Sequence, residues 1–247
     1  MTYRVIVVRQ HKTTELQFFP HETINTRIYG ASRARNIGLH HIKSAVKADD
    51  YIAFPDDDSY YNIRCGSRAS TWKADIIIGS IWCPINRRRL GLPVKRLDNL
   101  KKFNEIYPKI SCPSFFIRYG VVDGANFNET YGPGAMIPAV EETEFLFGLA
   151  SEQKLSFLFD NRLIIHHLMQ RPSLDKVRSY AFAQGFFYAK HIQPLRGKFN
   201  TTYLWVILRP YLGLALSVLK LNLNDTIYYL NRCAFIMIGI YKGLIKL

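Results

Sequence analysis

Residues 51 to 61 read YIAFPDDDSYY: an apolar run from Tyr51 to Phe54 stops at Pro55 and gives way to Asp56, Asp57 and Asp58. A strand must end here, and three adjacent carboxylates beyond it require a physical reason. On extended backbone, residues i and i+2 point the same way, which predicts that Asp56 and Asp58 converge on one object while Asp57 faces elsewhere. A hard divalent cation, Mn²⁺ or Mg²⁺, suits such a pair, because it takes carboxylate oxygens and keeps positions open for water or substrate phosphates. At the carboxyl end of a strand in an open α/β sheet, this reads as a metal and diphosphate site. The alternative is a solvated acidic turn, since Asp and Ser favour turns.

The rest of the chain alternates between strand-like and helix-like segments. Tyr3 to Val8 (YRVIVV) has the composition of a buried strand, broken by the polar stretch from Arg9 to Asn25. Between Ala31 and Ala48, the residues Ala34, Ile37, Leu39, Ile42 and Val46 recur at roughly helical spacing behind a start signal at Gly30 and Ser32. Asp75 to Ile81 reads as a strand, and the basic segment Asn86 to Lys102 as a loop. Residues 111 to 126 predict two short strands around a Tyr119 and Gly120 turn, followed by a Gly- and Pro-rich stretch from Tyr131 to Pro138. A helix opening with Glu141, Glu142 and Glu144 should bury Phe145, Leu146 and Leu149, and Leu155 to Phe159 and Arg162 to Ile165 read as strands.

The tail differs in character. Tyr203 to Leu223 and Ile227 to Leu247 are dense in Leu, Ile, Tyr and Trp, yet Arg209, Lys220, Arg232, Lys242 and Lys246 interrupt them. A membrane span needs roughly 20 largely uncharged apolar residues. The tail therefore suits either helices lying on an anionic bilayer or a helical hairpin packed on the domain. Lys and Arg outnumber Asp and Glu by 33 to 19, a net charge of +14, so anionic partners are expected. The basic residues are scattered and form no recognised nucleic-acid module, so nucleic acid is not an expected partner. Cys65, Cys83, Cys112 and Cys233 match no zinc or disulfide spacing, which favours a reducing compartment. Met1 leads directly into a strand-like run with no signal-peptide pattern, so a cytoplasmic location is expected.

Four motifs, in order, carry a family resemblance: GASRARNIGL (30 to 39), YIAFPDDDSYY, FNETYGPGAMIPAVEETEFLFGL (127 to 149) and LIIHHLMQRPS (163 to 173). Over about residues 3 to 195 the chain resembles the inverting family-2 glycosyltransferases of the GT-A fold, especially bacterial surface-polysaccharide enzymes. The resemblance implies a GT-A-like, Rossmann-like mixed sheet flanked by helices in residues 1–195, followed by C-terminal amphipathic helices in 196–247. It also implies a nucleotide-diphosphate sugar donor, UDP- or dTDP-linked, and a saccharide or lipid-linked saccharide acceptor at the inner face of the membrane.

Residue by residue, Asp56 and Asp58 match the acidic metal motif, with Asp58 as the coordinating residue and Asp57 beside the donor. Arg35 and Asn36 match a short Arg-Asn motif next to the nucleotide, although a surface ion pair also explains Arg35. Glu142 matches the general base, with Glu141 as its neighbour; both also suit a first helical turn through the helix dipole. His166 and His167 stand where relatives carry a His near the metal or diphosphate, a structural role being the alternative, and Arg171 follows as a phosphate contact. Arg87 to Arg89 fit a donor clamp, a lipid contact or plain solvated charge.

The chain departs from the family in two ways. The sequence starts at the strand matched to YRVIVV, which the family normally precedes with a strand and helix, so either a longer reading frame or a reduced sheet with Tyr3 to Val8 as its first strand is expected, and Arg9 stands where an Asp commonly contacts the base. The expectation is therefore a metal-dependent glycosyltransferase. The alternative is a non-catalytic, shortened protein of the same fold that binds membrane or a partner.

Overall fold

The computed structural model describes residues 3–10, 21–61, 72–85, 87–90, 95–97, 110–168, 172–191 and 201–245. The strands in chain order are β1 (Ile6–Arg9), β2 (Glu22–Asn25), β3 (Tyr51–Ala53), β4 (Ser59–Tyr61), β5 (Ile76–Cys83), β6 (Arg88–Leu90), β7 (Lys95–Leu97), β8 (Phe115–Arg118) and β9 (Phe157–His167). The helices are α1 (Ala31–Ile42), α2 (Tyr119–Val122), α3 (Glu141–Glu152), α4 (Leu174–His191), α5 (Thr201–Leu219) and α6 (Leu223–Ile245). The protein is α/β with a mixed sheet, as the sequence leads one to expect.

Strand β5 is the spine of the main sheet. Ile76, Ile77 and Ile78 point alternately to its two faces, and all three are buried, so both faces are covered. The strand order is β3-β8-β5-β9-β4, with β6 added to β5 and β7 to β9. Among the described residues, only the β5–β9 pairing in this sheet is parallel. Trp72, Ala74, Ile77, Leu163 and Ile165 pack with Tyr51, Tyr61 and Phe116 in one core cluster. A second, aromatic cluster joins Phe54 to Phe115, Phe127 and Phe145.

Several expectations are corrected. The stretch after YRVIVV is not wholly a break: β2 pairs with β1 in parallel, forming a separate two-stranded sheet. Helix α1 stops at Ile42, short of Ala48. Beyond it, Lys43 N–H and Ala45 N–H bond three residues back, and the Asp50 carboxylate accepts from Lys47 N–H. The basic segment contributes edge strands β6 and β7 rather than a loop throughout; residues 86, 91–94 and 98–102 lie outside the described residues. Where two strands were expected in 111 to 126, Cys112–Ser114 forms a turn of 3₁₀ helix with a Ser111 and Ser114 capping box, β8 follows, and the second strand is instead α2.

The strands expected at Leu155 to Phe159 and Arg162 to Ile165 are two halves of β9. Phe159 pairs with Ile78 and Ile164 with Ser80, so β9 bulges over the intervening residues. At the bulge, Asp160 is buried and accepts hydrogen bonds from Arg162, at 2.7 Å from Nε and 2.9 Å from Nη2. Gly79 sits opposite, where a Cβ would lie 2.8 Å from the Leu163 carbonyl oxygen. The helix opening at Glu141 does bury Phe145, Leu146 and Leu149, as expected.

The chain divides into two compact units, Met1–Glu129 with Phe145–Met169, and Thr130–Glu144 with Gln170–Leu247. This division is drawn differently from one at residue 195, because α4 groups with the C-terminal helices. In the second unit α6 packs on α4 through Ile236, Gly239 and Gly243. Among the described residues, no helix is long and apolar enough to cross a membrane.

Candidate metal centre

The site is built by a turn between two short strands of the first unit. Phe54 is buried and holds the end of β3 through edge-on contact with Phe127, ring centroids 5.0 Å apart. The chain then reverses over Asp56 to Ser59: Ser59 N–H donates to the Asp56 carbonyl at 3.0 Å, and Ser59 Oγ–H donates to it at 2.8 Å. The return strand β4 pairs antiparallel with the end of β9, bringing Ser59 opposite His167 and Tyr60 opposite His166.

This pairing sets the side-chain geometry. His167 Nε2 lies 3.2 Å from Asp58 Oδ1 and 3.8 Å from Asp56 Oδ2. The other Asp56 oxygen lies 3.3 Å from Arg35 Nη2, which reaches across from α1. One donor atom each from Asp56, Asp58 and His167 falls within 4.8 Å of the others. The expected convergence of Asp56 and Asp58 is therefore present, but a turn produces it rather than an extended strand. Asp57 lies exposed in that turn, outside the group.

Adjacent residues of a strand point to opposite faces, so the two histidines are separated. His167 joins the carboxylates. His166 stacks on Tyr60, rings 4.5 Å apart and nearly parallel, and is not part of the group. The Nδ1 atom of His167 is buried with no hydrogen bond among the described residues, which leaves Nε2 as the atom directed at the carboxylates.

The donor set suits a divalent cation. Two carboxylates and one imidazole nitrogen match Mn²⁺ well and Mg²⁺ less so, because an imidazole ligand favours the softer ion. Side-chain exposure falls from 49% at Asp58 and 34% at Asp56 to 24% at His167 and 14% at Arg35, so the group opens to solvent on the Asp58 side. An anionic ligand has access there. Arg35 is braced by Phe127, its Cζ atom 5.5 Å from the ring centroid, and supplies the fixed positive charge of the site.

Asn36 has a different task from its neighbour. Its Nδ2 donates to the Phe127 carbonyl at 2.9 Å and to Glu129 Oε1 at 3.3 Å, while Oδ1 accepts from Phe127 N–H at 2.7 Å. It is buried and clamps α1 to the segment carrying Phe127, which holds Arg35 in place. Glu141 is buried and Glu142 half-buried in the first turn of α3, the Glu141–Glu144 portion of which belongs to the second unit. Val140, just before them, has φ +63, a strained conformation for a β-branched residue. Arg89 donates to the Asn161 carbonyl and, at 3.4 Å, to Ser80 Oγ, tying it to the sheet. Arg171 lies outside the described residues.

A groove of about 760 Å³ on the first unit, lined by Ile24, Ile28, Arg33, Asn36, Ile37 and His40 among others, is not among the features expected from sequence. Its signal was the helical spacing of Arg33, Ile37 and His40 along α1, with apolar Ile24 and Ile28 just before the helix.

No protein-family model matches the chain, and no curated protein matches it. The family resemblance rests on the four motifs.

Proposed function

We propose that the chain is a metal-dependent inverting glycosyltransferase that takes a sugar from a nucleotide-diphosphate donor and passes it to a hydroxyl of a saccharide or lipid-linked saccharide. The convergence of Asp56, Asp58 and His167, with Arg35 held against Asp56, is the observation that carries this reading. A divalent cation held there would neutralise charge on the leaving diphosphate. Arg35 orients the Asp56 carboxylate and adds a permanent cation near the same charge.

In the transfer itself, Glu142 takes the proton from the acceptor hydroxyl, with Glu141 as its neighbouring candidate. The acceptor oxygen forms a bond to the anomeric carbon as the carbon–oxygen bond to the diphosphate breaks. The electron pair of that bond leaves with the nucleoside diphosphate, and the anomeric configuration inverts.

A second reading is a non-catalytic module of the same fold. The separate β1–β2 sheet favours it, because strand Ile6–Arg9, which the resemblance places beside the nucleotide, pairs with β2 and, among the described residues, not with the main sheet. Calorimetric titration of the full chain with UDP and dTDP, with and without Mn²⁺, tests the first reading. The expected result is manganese-dependent binding that Asp58→Ala abolishes and Glu142→Gln retains, with sugar transfer lost in Glu142→Gln. Metal-independent binding would remove the cation from the site. A fully active Glu142→Gln protein would sink the base assignment.

A further inference from the structure

The second unit presents a long apolar surface to solvent. Along α5, Trp205, Leu208, Leu212, Leu216 and Leu219 are exposed at intervals of three or four residues, so they share one face of the helix. Along α6, Leu223, Ile227, Leu230, Met237 and Tyr241 form a second exposed stripe. This stripe lies opposite the face that α6 buries through Ile236, Gly239 and Gly243. Where the helices join, Leu219 at the end of α5, Leu221 in the turn and Leu223 at the start of α6 are 79%, 92% and 71% exposed. Scattered exposed leucines need no explanation, but a continuous stripe along helices of 19 and 23 residues does.

Charge selects the occupant. Arg209, Lys220 and Lys242 are exposed on the same hairpin, α5 contains no acidic residue, and α6 contains only Asp225. A second copy would set these cations, on a chain of net charge +14, against their own kind. A hydrocarbon boundary covered by anionic head groups complements both features. Trp205 and Tyr241 are residue types favoured at that boundary. Neither helix is long and apolar enough to cross a membrane, so the fit is with the interface and not with a span.

We propose that the α5–α6 hairpin lies in the surface of an anionic lipid bilayer, with the leucine turn and both exposed stripes among the acyl chains and Arg209, Lys220 and Lys242 at the phosphates. This assignment is independent of the glycosyl-transfer reading. Flotation of the full chain with phosphatidylcholine vesicles, with and without phosphatidylglycerol, tests it, together with Trp205 fluorescence. Trp72 and Trp82 lie in the first unit, so Trp205→Phe isolates the reporter.

The expected result is flotation with the anionic vesicles and a blue shift absent from Trp205→Phe. The exposed-face variant Leu212→Glu/Leu230→Glu should partition at least about tenfold more weakly, from lost apolar burial, with unchanged circular dichroism. Well-folded protein that floats with neither vesicle would overturn the proposal, as would a double variant that binds like the parent. Sedimentation revealing a dimer that Leu230→Glu dissociates would assign the face to a second copy instead.

Discussion

His166 and His167 are neighbours in sequence, yet strand alternation gives them unrelated surroundings. His167 faces Asp58 and Asp56, whereas His166 stacks on Tyr60. Under the proposed function, His167→Ala should weaken manganese-dependent nucleotide binding tenfold or more, by loss of a ligand from a three-residue group. His166→Ala should leave that affinity intact and lower stability by about 1 kcal/mol through loss of aromatic stacking. Titration and denaturant unfolding of both variants distinguish the roles, and equal loss of binding would defeat the separation. The acidic motif itself was legible in sequence as a run of carboxylates at the end of a strand, although the turn over Asp56 to Ser59, and not strand alternation, brings Asp56 and Asp58 together. The choice between the histidines was not, since it depends on the register of β4 against β9. Arg35 and Asn36 show the same limit: one meets Asp56 and the other clamps backbone, although both belong to one motif. A further residue-scale consequence concerns His191, in the last turn of α4, where the helix dipole favours protonation. Burial opposes it more strongly, assisted by the Lys190 charge, and pushes the imidazole down to about 4. Its folded pKa lies below the unfolded value of about 6.5, so its contribution is fully present above that pH and is lost as pH falls towards 4. The loss is on the order of 3 kcal/mol. Chemical denaturation at a series of pH values should show it, and His191→Gln should flatten that part of the curve.

At the scale of elements, α4 and α6 approach closely in the second unit. A Cβ on Gly185 would stand 2.1 Å from the Ile236 carbonyl oxygen, and one on Gly239 the same distance from the Phe182 carbonyl oxygen. Both obstacles are backbone, which cannot move aside as a side chain can. Gly239→Ala should therefore force the helices apart, with a destabilisation of about 3 kcal/mol or more despite the better helix propensity of alanine. Thermal unfolding with amide exchange on α4 and α6 measures it, and an unchanged melting temperature would contradict the packing. Helix α6 was legible in sequence as a long apolar stretch, whereas α4, whose apolar residues are broken by Lys176, Arg178, Gln184 and Lys190, was not anticipated. Their glycine contact was not legible either, because it depends on which faces meet. The strands were legible where β-branched residues cluster, as at Ile76–Cys83. They were misread where the backbone did something local: α2 follows β8 where a second strand was expected, and the bulge at Asp160 joins two apparent strands into β9. Strand β2 escaped notice because ETIN carries little apolar signal, and its order comes from pairing with β1.

At the scale of the whole molecule, a net charge of +14 predicts attraction to any polyanion, so charge alone does not separate a bilayer from nucleic acid. The distinction lies in what remains when charge is screened. The Debye length shrinks from about 10 Å at 0.1 M salt to about 3 Å at 1 M, so the contribution of exposed cations fades across that range. Each Lys or Arg close to an anionic membrane contributes about 1 kcal/mol, so Arg209, Lys220 and Lys242 together should favour anionic over neutral vesicles by roughly a hundredfold at low salt. Burial of Leu212, Leu216, Leu230 and their neighbours is insensitive to screening and is strengthened, if anything, by excluded salts. Affinity for anionic vesicles should therefore fall with salt to the level of neutral ones and stop there. Oligonucleotide binding driven by phosphate contacts would instead continue to fall steeply as the logarithm of salt rises. Vesicle titrations followed by Trp205 fluorescence across that salt range give the curve. A plateau above zero assigns the residual affinity to the apolar face. A fall to nothing would mean that the hairpin is held by charge alone and that its leucines never enter the lipid.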